Sequence, residues 1–337
     1  MMEQIITRFP GISCAWVDAA GRVTTKCWGV ADQERNLPVD EDTIFPACSI
    51  SKFVTAICVM ELQERQAIDI DAPVNKYLRR WKLRTPEGSE STATIRALLC
   101  HTAGVMDGDD AFYGLRRGDP DISLLDILEG RTSYNNRPAR AEKEPGTAFE
   151  YSDAGYCVLQ LLVEEVTGKA FEDAAQAVVF APLELKNTFF ASRKNVKYYE
   201  DNATMAVGYD GEGLPLPGKV PYQPDLAASA LWSTPKELLA IARMFNEAYH
   251  GRSTFLQEAS AREMAKRVEK FPWTGLGVFP QGEDVIMSQG WGENGQCMLK
   301  MNICTGVAAV VMTNRNPEVD QSESGVKWLV DRRLAGI

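Results

Sequence analysis

Residues 47–53 read ACSISKF, a serine three positions ahead of a lysine at the head of an apolar run, FVTAICVM (53–60). A Ser-x-x-Lys spacing arises by chance roughly once in a chain of this length. Here it occurs three times, at Ser49/Lys52, Ser233/Lys236 and Ser324/Lys327. Spacing alone therefore separates nothing, and the surroundings of each copy decide. Ser233 opens STPKELL (233–239), where Thr234 as N-cap, Pro235 at the first helical position and Glu237 at the third make a capping box. Ser324 lies in SESGVKWL (322–329), whose serines start a terminal helix with Lys327 facing water.

Ser49 stands differently. Ile50, Phe53, Val54 and Ile57 fall at i, i+3, i+4 and i+7, which predicts a helix near 49–65. Lys52 sits one turn from Ser49 on the same face, pressed inward by those apolar neighbours. Burial disfavours an ammonium, so such a lysine is expected to be neutral enough to accept a proton. The serine then gains a base, and the helix N-terminus favours negative charge on its oxygen.

The 337-residue chain is 45% hydrophobic and 24% charged, the composition of a globular protein of one large or two closely packed domains. A net charge of −10 without a basic run of five disfavours nucleic acid and anionic membranes as partners. The longest apolar stretch, GVAAVVM (306–312), is strand length, so no membrane span is expected. MMEQIITRFPGI lacks the features of a secretory signal, and the expected location is cytoplasmic. Eight cysteines without Cys-x-x-Cys, and two histidines, make a zinc cluster unexpected and reduced thiols the simple reading. No motif implies a metal or organic cofactor.

Strand patterns occupy both ends: ISCAWV (12–17) and VTTKCWGV (23–30) around DAAG, then GLGVFP (275–280), DVIMSQG (284–290), QCMLKMNI (296–303) and GVAAVVMTN (306–314). Helical patterns lie between and after them: TATIRALLCHTAGV (92–105), DISLLDILEG (121–130), DAGYCVLQLLVEEVTG (153–168), STPKELLAIARMF (233–245), and a last one over 322–334. The Gly- and Pro-rich stretch 201–224 reads as a long ordered loop. The expected fold is thus α/β (α+β). An antiparallel sheet built from N- and C-terminal segments (1–75 and 205–337) is flanked by helices and carries an inserted, mostly helical domain (76–204). A cleft is expected between the two parts.

Two further stretches carry chemistry. In EYSDAGY (150–156), Tyr151 would serve as a phenolate or proton shuttle if a cation such as Lys52 lies near it. MSQGWGENGQC (287–297) carries three glycines in six residues, permitting close backbone approach to a substrate. One amide from that strand edge, with the Ser49 amide, would form an oxyanion hole.

Taken in order, TIFPACSISKFVTAICVMELQE (43–64), TIRALLCHTAGV (94–105), YSDAGY (151–156), PLELKNTFF (182–190) and LAASALWSTPKELLAIARMF (226–245) resemble the serine β-lactamase-like and penicillin-binding-protein superfamily. The branch most resembled holds class C β-lactamases, DD-peptidases, D-aminopeptidases and family VIII carboxylesterases. The likeness runs from about residue 10 to 335. It implies a β-lactamase/transpeptidase-like fold, with Ser49 as acylated nucleophile, Lys52 as its activating partner, Tyr151 as second general base and His101 as structural. With two histidines and no Gly-x-Ser-x-Gly, a Ser-His-Asp triad is disfavoured.

Two departures from that family bear on the substrate. Its Tyr-x-Asn element ends here in Asp153, which either caps its helix or pairs with a cation such as a substrate amine. Where β-lactamases have Lys-Thr-Gly, this chain has QGWGENG (289–295). Anchoring on Asn294-Gly295 aligns Gln289, Gly290 and Trp291 with the triplet and leaves Gly292 as oxyanion amide. A second register puts Trp291 at the lysine position. Either way the lysine that helps hold a substrate carboxylate is gone, and Trp291 suggests an uncharged or apolar group instead. The expected function is a serine hydrolase cleaving a small ester or amide, a short peptide included. A D-aminopeptidase or DD-peptidase-like amide hydrolase stands second and a β-lactamase third. The reading from another class is a catalytically silent ligand-binding or assembly relative.

Overall fold

Among the described residues ten strands follow the chain: β1 (Gly11–Val17), β2 (Val23–Asp32), β3 (Leu37–Pro38), β4 (Phe45–Cys48), β5 (Phe189–Phe190), β6 (Leu231–Ser233), β7 (Phe279–Gln281), β8 (Val285–Gly292), β9 (Gly295–Asn302) and β10 (Ala308–Thr313). They come from a computed structural model that describes residues 2–113 and 119–336. Seven strands form one antiparallel sheet in the order β3-β2-β1-β10-β9-β8-β7. The two ends of the chain meet inside it, with Ile12 opposite Thr313 and Val17 opposite Ala308.

Both faces of this sheet are covered, and the period-2 pattern of β10 makes the division visible. Ala308, Val310 and Met312 join the main core beneath the helix Pro235–Tyr249, whereas Ala309 and Val311 pack with Val326, Leu329 and Val330 of the helix Val326–Leu334. A small second sheet, β4-β6-β5, sets the strand that leads into Ser49 beside Leu231–Ser233. Among the described residues, 76–204 contribute no strand to the large sheet, and no helix is long and apolar enough to cross a membrane.

Several local expectations change. The helix after Ser49 spans Ser51–Glu64 and is buried on every side from Ser51 to Leu62, so its four-residue apolar stripe understated its burial. Strand character near 275–280 is confined to Phe279 and Pro280, because Gly275 to Val278 form a turn closed by the Gly275 amide on the Val278 carbonyl. The terminal helix is broken at Gly325, whose φ of 94° lies in the left-handed region. Thr234 does cap its helix through the Glu237 amide. The Glu237 carboxylate, however, accepts from the Lys186 and Asn187 amides and the Thr188 hydroxyl, so the capping box is one-sided.

Candidate active site

Ser49 follows β4 at a sharp bend. Cys48 holds φ at 45°, a left-handed conformation uncommon outside glycine, and so turns the strand into the buried helix. Ser51 fixes the bend: its hydroxyl donates to the Cys48 carbonyl at 2.5 Å and accepts from the Leu231 amide at 2.9 Å. No side chain caps the helix, so Ser49 is not spent on helix initiation.

Lys52 is 3% exposed, and its ammonium meets three oxygens. It donates to Ser49 Oγ at 3.0 Å and to the Ala228 carbonyl at 2.9 Å, and it pairs with Asp153 Oδ1 at 2.5 Å. The expectation of a lysine neutralised by burial is corrected here. Burial alone pushes its pKa down, but the charges of Asp153 and Tyr151 outweigh that and hold it above the ordinary lysine value. The Asp153 carboxylate beside it favours the ammonium form.

Tyr151 and Asp153 are brought to Lys52 by the start of the helix Asp153–Thr167. The cap is Ser152, whose hydroxyl accepts from the Gly155 amide, and not Asp153. Asp153 is thereby left to face Lys52 while it also borders the Ser49 cleft. The Lys52 ammonium lies 4.8 Å from the Tyr151 ring centroid. Burial raises the Tyr151 pKa above the usual phenol value, and so does the Asp153 charge, whereas Lys52 and Ser49 act to lower it.

The segment after His101 holds this tripeptide in place. His101 Nδ1 accepts from the Ser152 amide at 3.2 Å, and the imidazole stacks on the Tyr151 ring at 4.4 Å between centroids. Burial, with the Lys52 charge, depresses the His101 pKa and keeps the ring neutral. Asp107 accepts from the Ser152 hydroxyl and from the Asp153 and Ala154 amides at 2.8–2.9 Å, completing the helix start. Sequence reasoning had His101 as structural and passed over Asp107. The Asp in VMDG (105–108) carries no motif, and its role is set by a contact 46 residues away. The Ala228 carbonyl has no sequence signal at all.

On the other wall, β8 runs beside residues 47–48. Gly290 lies against the Ala47 carbonyl, and a Cβ at Gly292 would sit 2.8 Å from Cys48 Sγ. Ser49, Asp153, Trp291 and Gly292 line one cleft together with Phe112, Tyr113 and Tyr222. Trp291 is 47% exposed at its rim, its indole donating to Asn316 Oδ1 at 2.8 Å. Gln289 points outward, exposed, and is not among the lining residues. The other two Ser-x-x-Lys copies are not sites: Ser233 is buried against Thr188, Ser324 is buried, and Lys236 and Lys327 make surface ion pairs with Glu41 and Asp331.

A sheet joined from both termini, with a serine, a lysine and a tyrosine meeting beside a glycine-bearing strand edge, defines the class. Consistent with it, a β-lactamase family profile matches residues 1–331, and the chain belongs to that family. It is 32% identical over 197 residues to Esterase EstB of Burkholderia gladioli, covering 56% of this chain and 50% of that protein. The chain spans about half the length of the curated relatives it matches. Two solved structures share the fold. The octameric penicillin-binding protein homologue from Pyrococcus abyssi superimposes with a TM-score of 0.79 at 24% identity, over 99% of this chain and 76% of that one. The D-amino acid amidase from Ochrobactrum anthropi SV3 gives 0.78 at 21%, over 99% and 98%.

Proposed function

We propose that this protein is a serine hydrolase that cleaves a small ester or amide through an acyl-Ser49 intermediate. The observation that carries the reading is the contact set of the buried Lys52, which joins Ser49, Asp153 and Tyr151 in one cluster open to a cleft. In the reactive form Tyr151 is a phenolate facing the Lys52 ammonium. It takes the Ser49 proton as Oγ attacks the substrate carbonyl. The Ser49 and Gly292 amides are assigned to the developing oxyanion. Tyr151 then returns the proton to the leaving oxygen or nitrogen as its bond to the acyl carbon breaks. Water, deprotonated by Tyr151, attacks the ester so formed and releases the acid and Ser49. Lys52 stays charged throughout, stabilising the phenolate and the alkoxide.

Esters are the favoured substrates, since an alkoxide leaves with less protonation than an amine. Trp291 at the cleft rim, with no lysine in QGWGENG, favours an uncharged acyl group over a carboxylate-bearing one. Support against a silent ligand-binding relative comes from the intact trio and its open cleft. The test is a panel of p-nitrophenyl esters, a chromogenic cephalosporin and D-amino-acid anilides, each with a Ser49→Ala control. Ester turnover abolished by the substitution is expected. Fast cephalosporin turnover with esters untouched would overturn the substrate ranking.

A further inference from the structure

Tyr151 is not among the residues lining the cleft that holds Trp291 and Gly292, yet the residue is 43% exposed. A row of aromatic rings begins there. Phe279 lies 6.4 Å from Tyr151 between centroids, His101 lies 4.4 Å from it, and Phe149 lies 5.8 Å from His101. Trp273 follows at 5.9 Å from Phe149, and Phe271 at 5.7 Å from Trp273. Trp273 is 50% exposed, while Phe149, Phe271 and Phe279 are half-buried. None of these residues lines the Ser49 cleft.

The row sits on a fixed support. The Gly277 amide donates to the Leu99 carbonyl at 3.1 Å, and Thr274 Oγ1 reaches the Cys100 carbonyl at 3.5 Å, so the segment carrying Phe271, Trp273 and Phe279 is tied to the His101 turn. Lys270 Nζ donates to the Gly146 carbonyl at 3.3 Å, bridging to the segment that carries Phe149. His101 itself is buried, and the open or half-open rings of Tyr151, Phe279, Phe149, Trp273 and Phe271 are arranged around it; aromatic surface of that extent is unusual unless something covers it, and it suits a planar apolar group.

We propose that this row is the leaving-group subsite, and that it takes an aromatic alcohol or amine. The assignment rests on the acyl-Ser49 reading. The leaving atom must come within hydrogen-bond reach of Tyr151 to receive its proton. Whatever that atom carries extends past Tyr151 on the side away from the acyl cleft, and there it meets Phe279, Phe149 and Trp273. The site therefore discriminates on both halves of its substrate, with Trp291 and Tyr222 on the acyl half and the Trp273 row on the departing half.

Methyl, benzyl and 2-naphthylmethyl esters of one acid, compared in wild type, Trp273→Ala and Tyr198→Ala, test this. Tyr198 is 65% exposed and touches neither wall, so it controls for loss of any surface aromatic. In wild type the kcat/KM ratio of naphthylmethyl to methyl ester is expected to be about tenfold or more, the discrimination apolar contacts supply. Trp273→Ala brings that ratio close to one, and Tyr198→Ala retains it. A ratio unchanged by Trp273→Ala overturns the subsite while leaving the hydrolase reading standing. A second arm needs no turnover: 2-naphthalenemethanol is titrated into Ser49→Ala and into the Ser49→Ala/Trp273→Ala double variant, followed by ligand-observed NMR. Saturable binding lost in the double variant supports the subsite even if no ester is hydrolysed. Absence of binding, or binding indifferent to Trp273, counts against it.

Discussion

Lys52 and Asp153 exchange the parts that composition and spacing suggest for them. A lysine among isoleucine, valine and phenylalanine reads as a neutral amine, and an aspartate before a helix reads as a cap. In the fold Ser152 does the capping, Asp153 turns to Lys52, and the pair keeps the ammonium charged inside the protein. In the proposed mechanism proton abstraction falls to Tyr151, whose pKa is raised above the usual phenol value. Activity should therefore keep climbing with pH past the usual phenol range, as the phenolate fraction grows. Asp153→Asn removes a charge that raises the Tyr151 pKa, so the alkaline limb of the kcat/KM profile should move to lower pH. The same substitution leaves Lys52 without its carboxylate and should lower stability by about 3 kcal/mol in urea unfolding. An alkaline limb that stays put would contradict the charge assignment. Nothing in the tripeptide YSD foretold this, because the competition between Ser152 and Asp153 for the cap is settled by Asp107 and His101, far away in sequence.

At the scale of elements, the strands were the most legible part. β1, β9 and β10 are buried along both faces and read as near-continuous apolar runs, whereas β2 is largely exposed, and the sequence patterns matched all four to within about two residues. Less legible was β8, where glycines at 290 and 292 remove the apolar signal on the very face that approaches residues 47–48. Their absence of side chains is what lets that strand lie against the serine bend. Gly290→Ala would drive a methyl into the Ala47 carbonyl, a backbone group that cannot swing aside. Because Ala47 sits two residues before Ser49, kcat is expected to fall at least about tenfold while stability drops by about 1–3 kcal/mol. Steady-state kinetics beside thermal unfolding checks this. Full kcat in a folded variant would mean that this strand edge does not set the position of Ser49.

Across the whole molecule, the large sheet is joined only when residues 11–17 dock between residues 23–32 and 308–313, contacts that span nearly the full chain. That closure was foreseeable from strands at both ends. The buried Tyr134–Asp225 contact, with its 2.6 Å hydrogen bond and the Asp225 carboxyl pushed up to about 7 by burial and by Asp153, was not. It joins residues 91 apart without any motif. The central claim is that this assembly makes Ser49, of all the serines in the chain, a nucleophile. Intact-protein and peptide mass spectrometry after treatment with a fluorophosphonate tests it most directly. A single adduct on Ser49, absent in Ser49→Ala and strongly slowed in Tyr151→Phe, is the predicted result. A folded protein that stays unlabelled, or that is labelled elsewhere with Ser49 untouched, would contradict it.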